Sequence, residues 1–175
     1  MSSIPAELLR EILSHYRLSP WGIHGLAHWA RVLENGRKLQ AQTGARLDVV
    51  ELFAVFHDSQ RRNDGLDFGH GKRGAELARE LHNGFYQLDQ EGFLLLSAAC
   101  AGHTSGRGPV DVTVWTCWDA DRLDLGRVGT KPNPRYLCTD AAKDPQMIAW
   151  GWARSHQKEL PALVREEWGI LEGEV

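Results

Sequence analysis

The feature that most constrains the fold is an apolar run from Leu52 to Phe56 that ends abruptly at His57 and Asp58. Leu52, Val55 and Phe56 recur at helical spacing, which predicts a buried helix whose last turn carries the His-Asp pair. Burying an unpaired carboxylate is costly, and the usual remedy is a cation or a metal ion. A single His-Asp pair is more often a polar helix end that faces water, so its meaning depends on the rest of the chain.

Apolar residues recur at helical spacing along most of the chain, which predicts an all-α fold. The predicted helices are Ile4 to Tyr16, Gly25 to Gln42, Leu47 to Asp58, His70 to Leu81, Glu91 to Gly102, Val110 to Leu125, Pro145 to Gln157 and Leu160 to Ile170. Asp48 is the expected cap of the third helix. The segment from Val110 to Leu125 contains several β-branched residues, so a strand is the competing interpretation there.

Length and charge narrow the class of protein. A chain of 175 residues is most simply one domain, and a net charge of −3 gives no basic field for nucleic acid. The longest apolar run, Phe93 to Ala101, is too short to span a bilayer. The three cysteines have no CxxC spacing, and the N-terminus has no signal-like stretch, so we expect a cytoplasmic protein without disulfides.

Histidines and aspartates recur where predicted helices meet loops. They are His24, His28, His57, Asp58, His70 and His103, while Asp119 and Asp121 lie inside the predicted helix from Val110 to Leu125. Each histidine taken alone is more often a core or surface residue than a metal ligand.

Their joint order resembles the HD-domain superfamily, whose metal-binding pattern runs H…HD…H…H…D along a helical fold. His28-Trp-Ala-Arg31-Val32 is similar to the HxxRV opening of that pattern, and His57-Asp58 to its central pair. The segment from His70 to Ala75 resembles HxxxGA, and the segment from Asp119 to Asp124 resembles the closing ADxxDA-type helix. The resemblance covers about His24 to Arg127 and implies an HD-like core at about 20–145.

The resemblance also implies a ligand set for one or two divalent ions (Mn, Co, Mg, Fe or Zn). His28, His57, Asp58 and Asp121 would hold the first ion, and Asp58, His70 and His103 the second. Asp121 is preferred to Asp119, which would lie about half a turn away on a helix. His24 is either a further pocket residue or a capping or packing residue.

A phosphate substrate would also need positive charge. Arg61, three residues after Asp58, is the best candidate to bind it, and Arg73 is expected on the same helix face as His70, where it would also bind phosphate. Asp58, Arg61 and Arg73 are the expected catalytic residues. Arg122 adjoins Asp121, and Lys131 and Arg135 lie in a late loop. A solvated surface cation is the alternative interpretation for each of them.

The resemblance implies a metal-dependent phosphohydrolase that acts on a nucleotide or related phosphoester. After His103 the chain reads Thr-Ser-Gly-Arg-Gly-Pro and lacks the HHExxDGxGYP-type run of cyclic-dinucleotide hydrolases, which argues against such a substrate. An HD-type mixed-valence di-iron oxygenase with a small organic substrate is the alternative, because ligand type alone does not fix the metal. A non-catalytic nucleotide-binding module is disfavoured because all six proposed ligands are present.

Overall fold

The structure, a computed structural model, describes residues 3–171 and 173. Their regular secondary structure is helical, which confirms the predicted all-α class. The α-helices are α1 (Ala6–His15), α2 (Leu26–Thr43), α3 (Leu47–Phe56), α4 (His70–Leu81), α5 (Gln90–Gly102), α6 (Val112–Arg122), α7 (Asp140–Lys143), α8 (Pro145–His156) and α9 (Leu163–Glu166). Two 3₁₀ turns, Leu125–Val128 and Pro134–Tyr136, follow α6. None of the helices in the described ranges is long and apolar enough to cross a membrane.

Helix α3 lies at the centre of the core and packs against α2, α5 and α6. Every residue from Val49 to Phe56 is buried, as expected of a helix that is apolar on almost all sides. The helix ends at Phe56, and His57 keeps helical backbone angles (φ −56°, ψ −42°) as the residue that follows it. The prediction of a buried helix that leads into the His-Asp pair is therefore confirmed. The pair follows directly after the last residue of the helix and is itself buried.

The expected cap of α3 is wrong. Arg46 precedes the helix and forms no side-chain cap, while Asp48 lies in the first turn. There the Asp48 carboxylate pairs with the Arg46 guanidinium at 2.7 Å. The carboxylate thus stabilises the helix start through an ion pair and its position near the helix N-terminus.

Helix α6 forms despite its β-branched residues, so the strand interpretation is wrong. Asp111 caps the helix by accepting a hydrogen bond from the Thr113 amide at 2.7 Å. The helix is shorter at both ends than the predicted range from Val110 to Leu125. Its residues Val114, Cys117 and Ala120 are buried, so tertiary packing outweighs the weak β preference.

Helices α4 and α5 approach closely because α4 carries two glycines on one face. A Cβ atom at Gly71 would lie 2.2 Å from the Cys100 carbonyl oxygen, and one at Gly74 would lie 2.4 Å from the Phe56 carbonyl oxygen. Such distances are far inside van der Waals contact, so a larger residue would push α4 away from α5 and α3. The two glycines therefore fix the distance between His70 at the start of α4 and the end of α5.

The C-terminal part of the chain is less helical than its periodicity predicts. Helix α8 matches its predicted range to one residue, whereas the range from Leu160 to Ile170 contains only the four-residue α9. Trp168 and Ile170 are buried nonetheless, and Glu167 pairs with Arg37 of α2 at 2.7 Å. Side-chain burial rather than a continuous helix attaches this segment to the core.

Candidate metal centre

The helix ends bring the predicted ligands into one buried cluster. His28 lies in the first turn of α2, His57 and Asp58 follow α3, His70 begins α4, His103 follows α5, and Asp121 lies in the last turn of α6. All six side chains are buried, and Asp121, with 8% of its surface accessible, is the most exposed of them. Buried titratable groups gathered from five separate elements are typical of a functional site.

One group of ligand atoms forms around His28 and His57. Their Nε2 atoms lie 3.0 Å apart, and Asp121 Oδ1 lies 3.5 Å from the His28 Nε2 atom and 3.7 Å from that of His57. Asp58 Oδ2 approaches the same His28 atom to 3.5 Å. Two nitrogens and two carboxylate oxygens thus face one small space, a donor set that suits a divalent transition metal.

A second group forms around His70 and His103. Their Nε2 atoms lie 2.9 Å apart, and Asp58 Oδ1 lies 3.1 Å from the His70 nitrogen and 3.4 Å from the His103 nitrogen. Asp58 therefore faces one group with each of its oxygens. A carboxylate in this position can bridge two ions.

The other ring nitrogens of His57 and His103 show how these two rings are oriented. His57 Nδ1 lies 3.1 Å from the Phe53 carbonyl oxygen, and His103 Nδ1 lies 2.8 Å from the Cys100 carbonyl oxygen. A carbonyl oxygen only accepts, so each Nδ1 carries a proton, and each ring in its neutral form turns an Nε2 lone pair inward. Burial lowers the pKa of His57 to about 3, which keeps its ring neutral at physiological pH.

The carboxylates leave buried oxygens unsatisfied. Asp58 Oδ1 and Asp121 Oδ1 form no hydrogen bond with any described residue. Burial raises the pKa of the Asp121 carboxyl group, but His57 and Arg127 lower it more strongly, to about 2, so the group is ionised. A metal ion would satisfy both the facing nitrogen lone pairs and these ionised oxygens that lack a hydrogen bond, so the residues fit divalent ions.

His24 contacts the centre from outside the six predicted ligands. Its Nδ1 atom lies 2.8 Å from Asp58 Oδ2, and its Nε2 atom lies 3.3 Å from the Asp64 carbonyl oxygen. Gly25, not His24, occupies the cap position of α2. The structure therefore excludes the capping role for His24 and places its ring against the carboxylate that the two groups share.

Asp124 and Arg31 support His28 from behind. Asp124 Oδ2 accepts a hydrogen bond from His28 Nδ1 at 2.7 Å, and Arg31 Nε donates to Asp124 Oδ1 at 2.6 Å. Burial raises the pKa of Asp124, but hydrogen bonds from His28 and Arg31 bring it below its ordinary value. A carboxylate behind a histidine fixes the ring orientation and raises its basicity as a ligand. Arg31 and Asp124 belong to the sequence motifs described above, but the sequence predicted no role for them.

Asp119 has a different role from Asp121, as their spacing predicts. Its carboxylate accepts hydrogen bonds from the amides of Cys138 and Thr139 at 2.8 and 2.7 Å, and from the Thr139 hydroxyl at 2.8 Å. Asp119 therefore anchors the segment before α7 and lies away from the metal-ligand groups.

A cavity of about 380 Å³ opens onto Asp58 and Asp121. Four arginines line it, namely Arg61, Arg107, Arg122 and Arg127. Arg61 Nε lies 3.1 Å from Asp58 Oδ1, and Arg127 Nη2 lies 3.7 Å from Asp121 Oδ1. Two of the four, Arg107 and Arg127, were not singled out in the sequence because the loop and turn that carry them have no periodic pattern.

The structure does not bring Arg73 to this cavity. Its guanidinium forms a bidentate pair with Asp67 at 2.6 and 2.7 Å and donates to the Gln60 and Phe68 carbonyl oxygens. Asp67 in turn places its carbonyl oxygen 2.6 Å from His70 Nδ1. Arg73 thus holds the loop that positions a ligand. Lys131 likewise lies outside the residues that line the cavity.

Comparison with solved structures finds a similar protein from an uncultured Thermotogales bacterium, described as a predicted HD superfamily hydrolase. The two chains are 25% identical, with a TM-score of 0.66 over 90% of this chain and 91% of that one. No protein-family model and no curated protein matches the chain. The chain thus has an HD-domain helical fold, and its buried His and Asp clusters are compatible with metal binding.

Proposed function

We propose that the protein is a metal-dependent phosphohydrolase that acts on a nucleotide or related phosphoester. One observation carries the proposal. Four imidazole Nε2 atoms converge in two pairs on the two oxygens of Asp58, and this cluster opens onto a cavity lined by four arginines. The fold likeness to a protein described as a predicted HD superfamily hydrolase supports the same class of reaction.

The residues assigned to metal binding divide into two sets joined by Asp58. His28, His57 and Asp121 would complete one set, and His70 and His103 the other. Nitrogen and carboxylate ligands of this kind accept Mn²⁺, Co²⁺, Fe²⁺ or Zn²⁺, and Mg²⁺ with more water. When bound, such ions lower the pKa of water and polarise a phosphoryl oxygen.

The protein's own cations would bind the phosphoryl group of the substrate. Arg61 Nε forms an ion pair with Asp58 Oδ1 but no hydrogen bond with a described residue, and Arg127 Nε, beside Asp121, likewise forms no hydrogen bond with a described residue. Guanidinium groups present forks of donors that match phosphate oxygens. Arg61 and Arg127 would therefore bind the phosphoryl group and stabilise the negative charge that accumulates in the transition state.

The arginines also favour hydrolysis over the di-iron oxygenase alternative. The two activities would use the same ligands, so the ligand set does not separate them. A cavity walled by four guanidinium groups suits an anionic phosphoester better than a small neutral organic substrate.

The proposal is tested by metal analysis of protein purified without chelator, together with phosphate release from a panel of nucleotides. Mn²⁺, Co²⁺ or Mg²⁺ should support release from some nucleotide without oxygen. His57→Ala and Asp58→Ala should lose most bound metal and nearly all release, whereas His15→Ala and Asp140→Ala, at exposed positions, should not. A protein that carries two irons, releases no phosphate and consumes oxygen with an organic substrate would overturn the hydrolase proposal.

A further inference from the structure

A second cavity adjoins the cavity that opens onto Asp58 and Asp121, which we call the metal cavity. It has a volume of about 280 Å³ and shares Arg107, Arg122 and Tyr136 with its neighbour. The residues that line only the second cavity are Gly108, Trp115, Arg135, Leu137 and Cys138. The shared residues therefore form the boundary between the space beside the metal ligands and a space farther from them.

The boundary is partly fixed in place. Arg122 donates to the Gly106 carbonyl oxygen at 2.8 Å and to the Tyr136 carbonyl oxygen at 3.0 Å. These bonds tie the loop after α5 to the 3₁₀ turn Pro134–Tyr136. Both walls of the second cavity are thus held by one guanidinium from the last residue of α6.

Two other guanidinium groups remain free to bind a ligand. Arg107 and Arg135 are exposed, and neither forms an ion pair or side-chain hydrogen bond with a described residue. The Arg107 guanidinium lies 5.1 Å from the centre of the Tyr136 ring, within cation–π range. Of the described residues that line the second cavity none is acidic. Arg122 interacts electrostatically with the buried Asp119 carboxylate, so Arg107 and Arg135 are the two lining arginines without an acidic partner among the described residues.

The rest of the cavity wall is aromatic or weakly polar. Trp115 Nε1 donates to the Gly108 carbonyl oxygen at 3.0 Å, so the indole has no donor left for a ligand and offers only its apolar surface. Leu137 is buried and Cys138 is half-buried. Such a wall suits a flat ring next to an anion.

We propose that the second cavity binds the leaving-group end of the substrate, and that this end carries both a planar ring and a second anionic group. The proposal rests on the proposed phosphohydrolase function. The phosphoryl group to be released lies in the first cavity, and the distal anion lies between Arg107 and Arg135. The class of substrate is then a phosphoester with two separated anionic groups, such as a nucleotide phosphorylated on both sides of its ribose.

The test compares adenosine 3′,5′-bisphosphate with the matching 3′- and 5′-monophosphates, by calorimetric binding and by phosphate release. The metal-loaded wild type should bind the bisphosphate at least tenfold more tightly than either monophosphate. Arg107→Gln combined with Arg135→Gln should reduce that ratio to about two or less, and Arg135→Gln alone should reduce it in part. Arg79→Gln, at an exposed position of α4, should leave the ratio at the wild-type value.

Equal binding of all three compounds by the wild type, or a preference that survives the double substitution, would overturn the inference. A failure of the underlying function has a different signature. If no compound releases phosphate, the hydrolase proposal fails, while the binding ratio still decides whether the second cavity recognises a distal anion. Circular dichroism spectra identical to that of the wild type would show that the variants are folded.

Discussion

Replacing Asp124 with asparagine should weaken metal binding although Asp124 is not a proposed ligand. The substitution keeps the size of the side chain but removes its charge, and the amide has only one oxygen. If that oxygen accepts from Arg31, the amide nitrogen faces His28 Nδ1 and favours the wrong tautomer, whose Nε2 atom carries a proton and cannot bind metal. Loss of such support typically costs about 10- to 100-fold in metal affinity.

The same change should also destabilise the fold. The Arg31 side chain is only 3% exposed and donates to both oxygens of Asp124, at 2.6 and 3.1 Å. Hydrogen bonds to charged groups are worth roughly 1.5–3 kcal/mol, so a fall in thermal stability will accompany the loss of affinity. A control must separate the two effects.

Asp119→Asn provides that control, because Asp119 is a buried carboxylate three residues from the end of α6 whose partners, Cys138 and Thr139, lie away from the ligands. Both variants should melt at lower temperature. Titration of metal-free protein with Mn²⁺ or Zn²⁺ in a calorimeter should show weaker binding only for Asp124→Asn. Wild-type affinity in Asp124→Asn, or an equal loss in both variants, would refute the proposed support of His28.

Three further outcomes follow from the geometry. His70→Ala should leave about one metal per chain instead of two by elemental analysis, and retention of two would contradict the division of the ligands. Gly71→Ala should lower the free energy of unfolding by roughly 1–3 kcal/mol in denaturant unfolding, because the added Cβ would lie 2.2 Å from the Cys100 carbonyl oxygen. Unchanged stability would refute this contact. The pKa of Asp121 is about 2, against about 3.9 in an unfolded chain. Its lowered pKa stabilises metal-free protein above pH ~4, and this contribution is lost as pH falls toward 2. An equally steep acid transition in Asp121→Asn would contradict this.

The sequence predicted helix bounds most accurately where a long periodic pattern was followed by residues that end a helix. Helix α4 begins and ends at the predicted residues, since a loop with Gly69 precedes it and Asn83-Gly84 follows shortly after it. The six candidate ligands come together because they stand at helix ends, where a local motif specifies position. Their clustering could therefore be predicted from residue order.

Contacts made by loops could not be predicted in this way. The pairing of Arg73 with Asp67 depends on the path of the loop between them, and spacing along α4 predicted a substrate contact instead. His24 reaches Asp58 across 34 residues of sequence from an irregular turn. Arg107 lines the metal cavity only because Arg122 ties its loop to a distant turn, and no periodic signal encodes that connection.

The arginines around the metal cavity also affect how ions reach the ligands. A divalent cation that crosses this cavity passes four guanidinium groups before it meets Asp58 and Asp121. Repulsion raises the barrier to ion exchange at low ionic strength, and salt lowers it because the screening length is about 10 Å at 0.1 M. A cation that arrives as a complex with a phosphate anion is not repelled in this way. Under the proposed function, the charge that would select an anionic substrate would also slow the exchange of bound ions, and a phosphate compound would act as carrier for the metal.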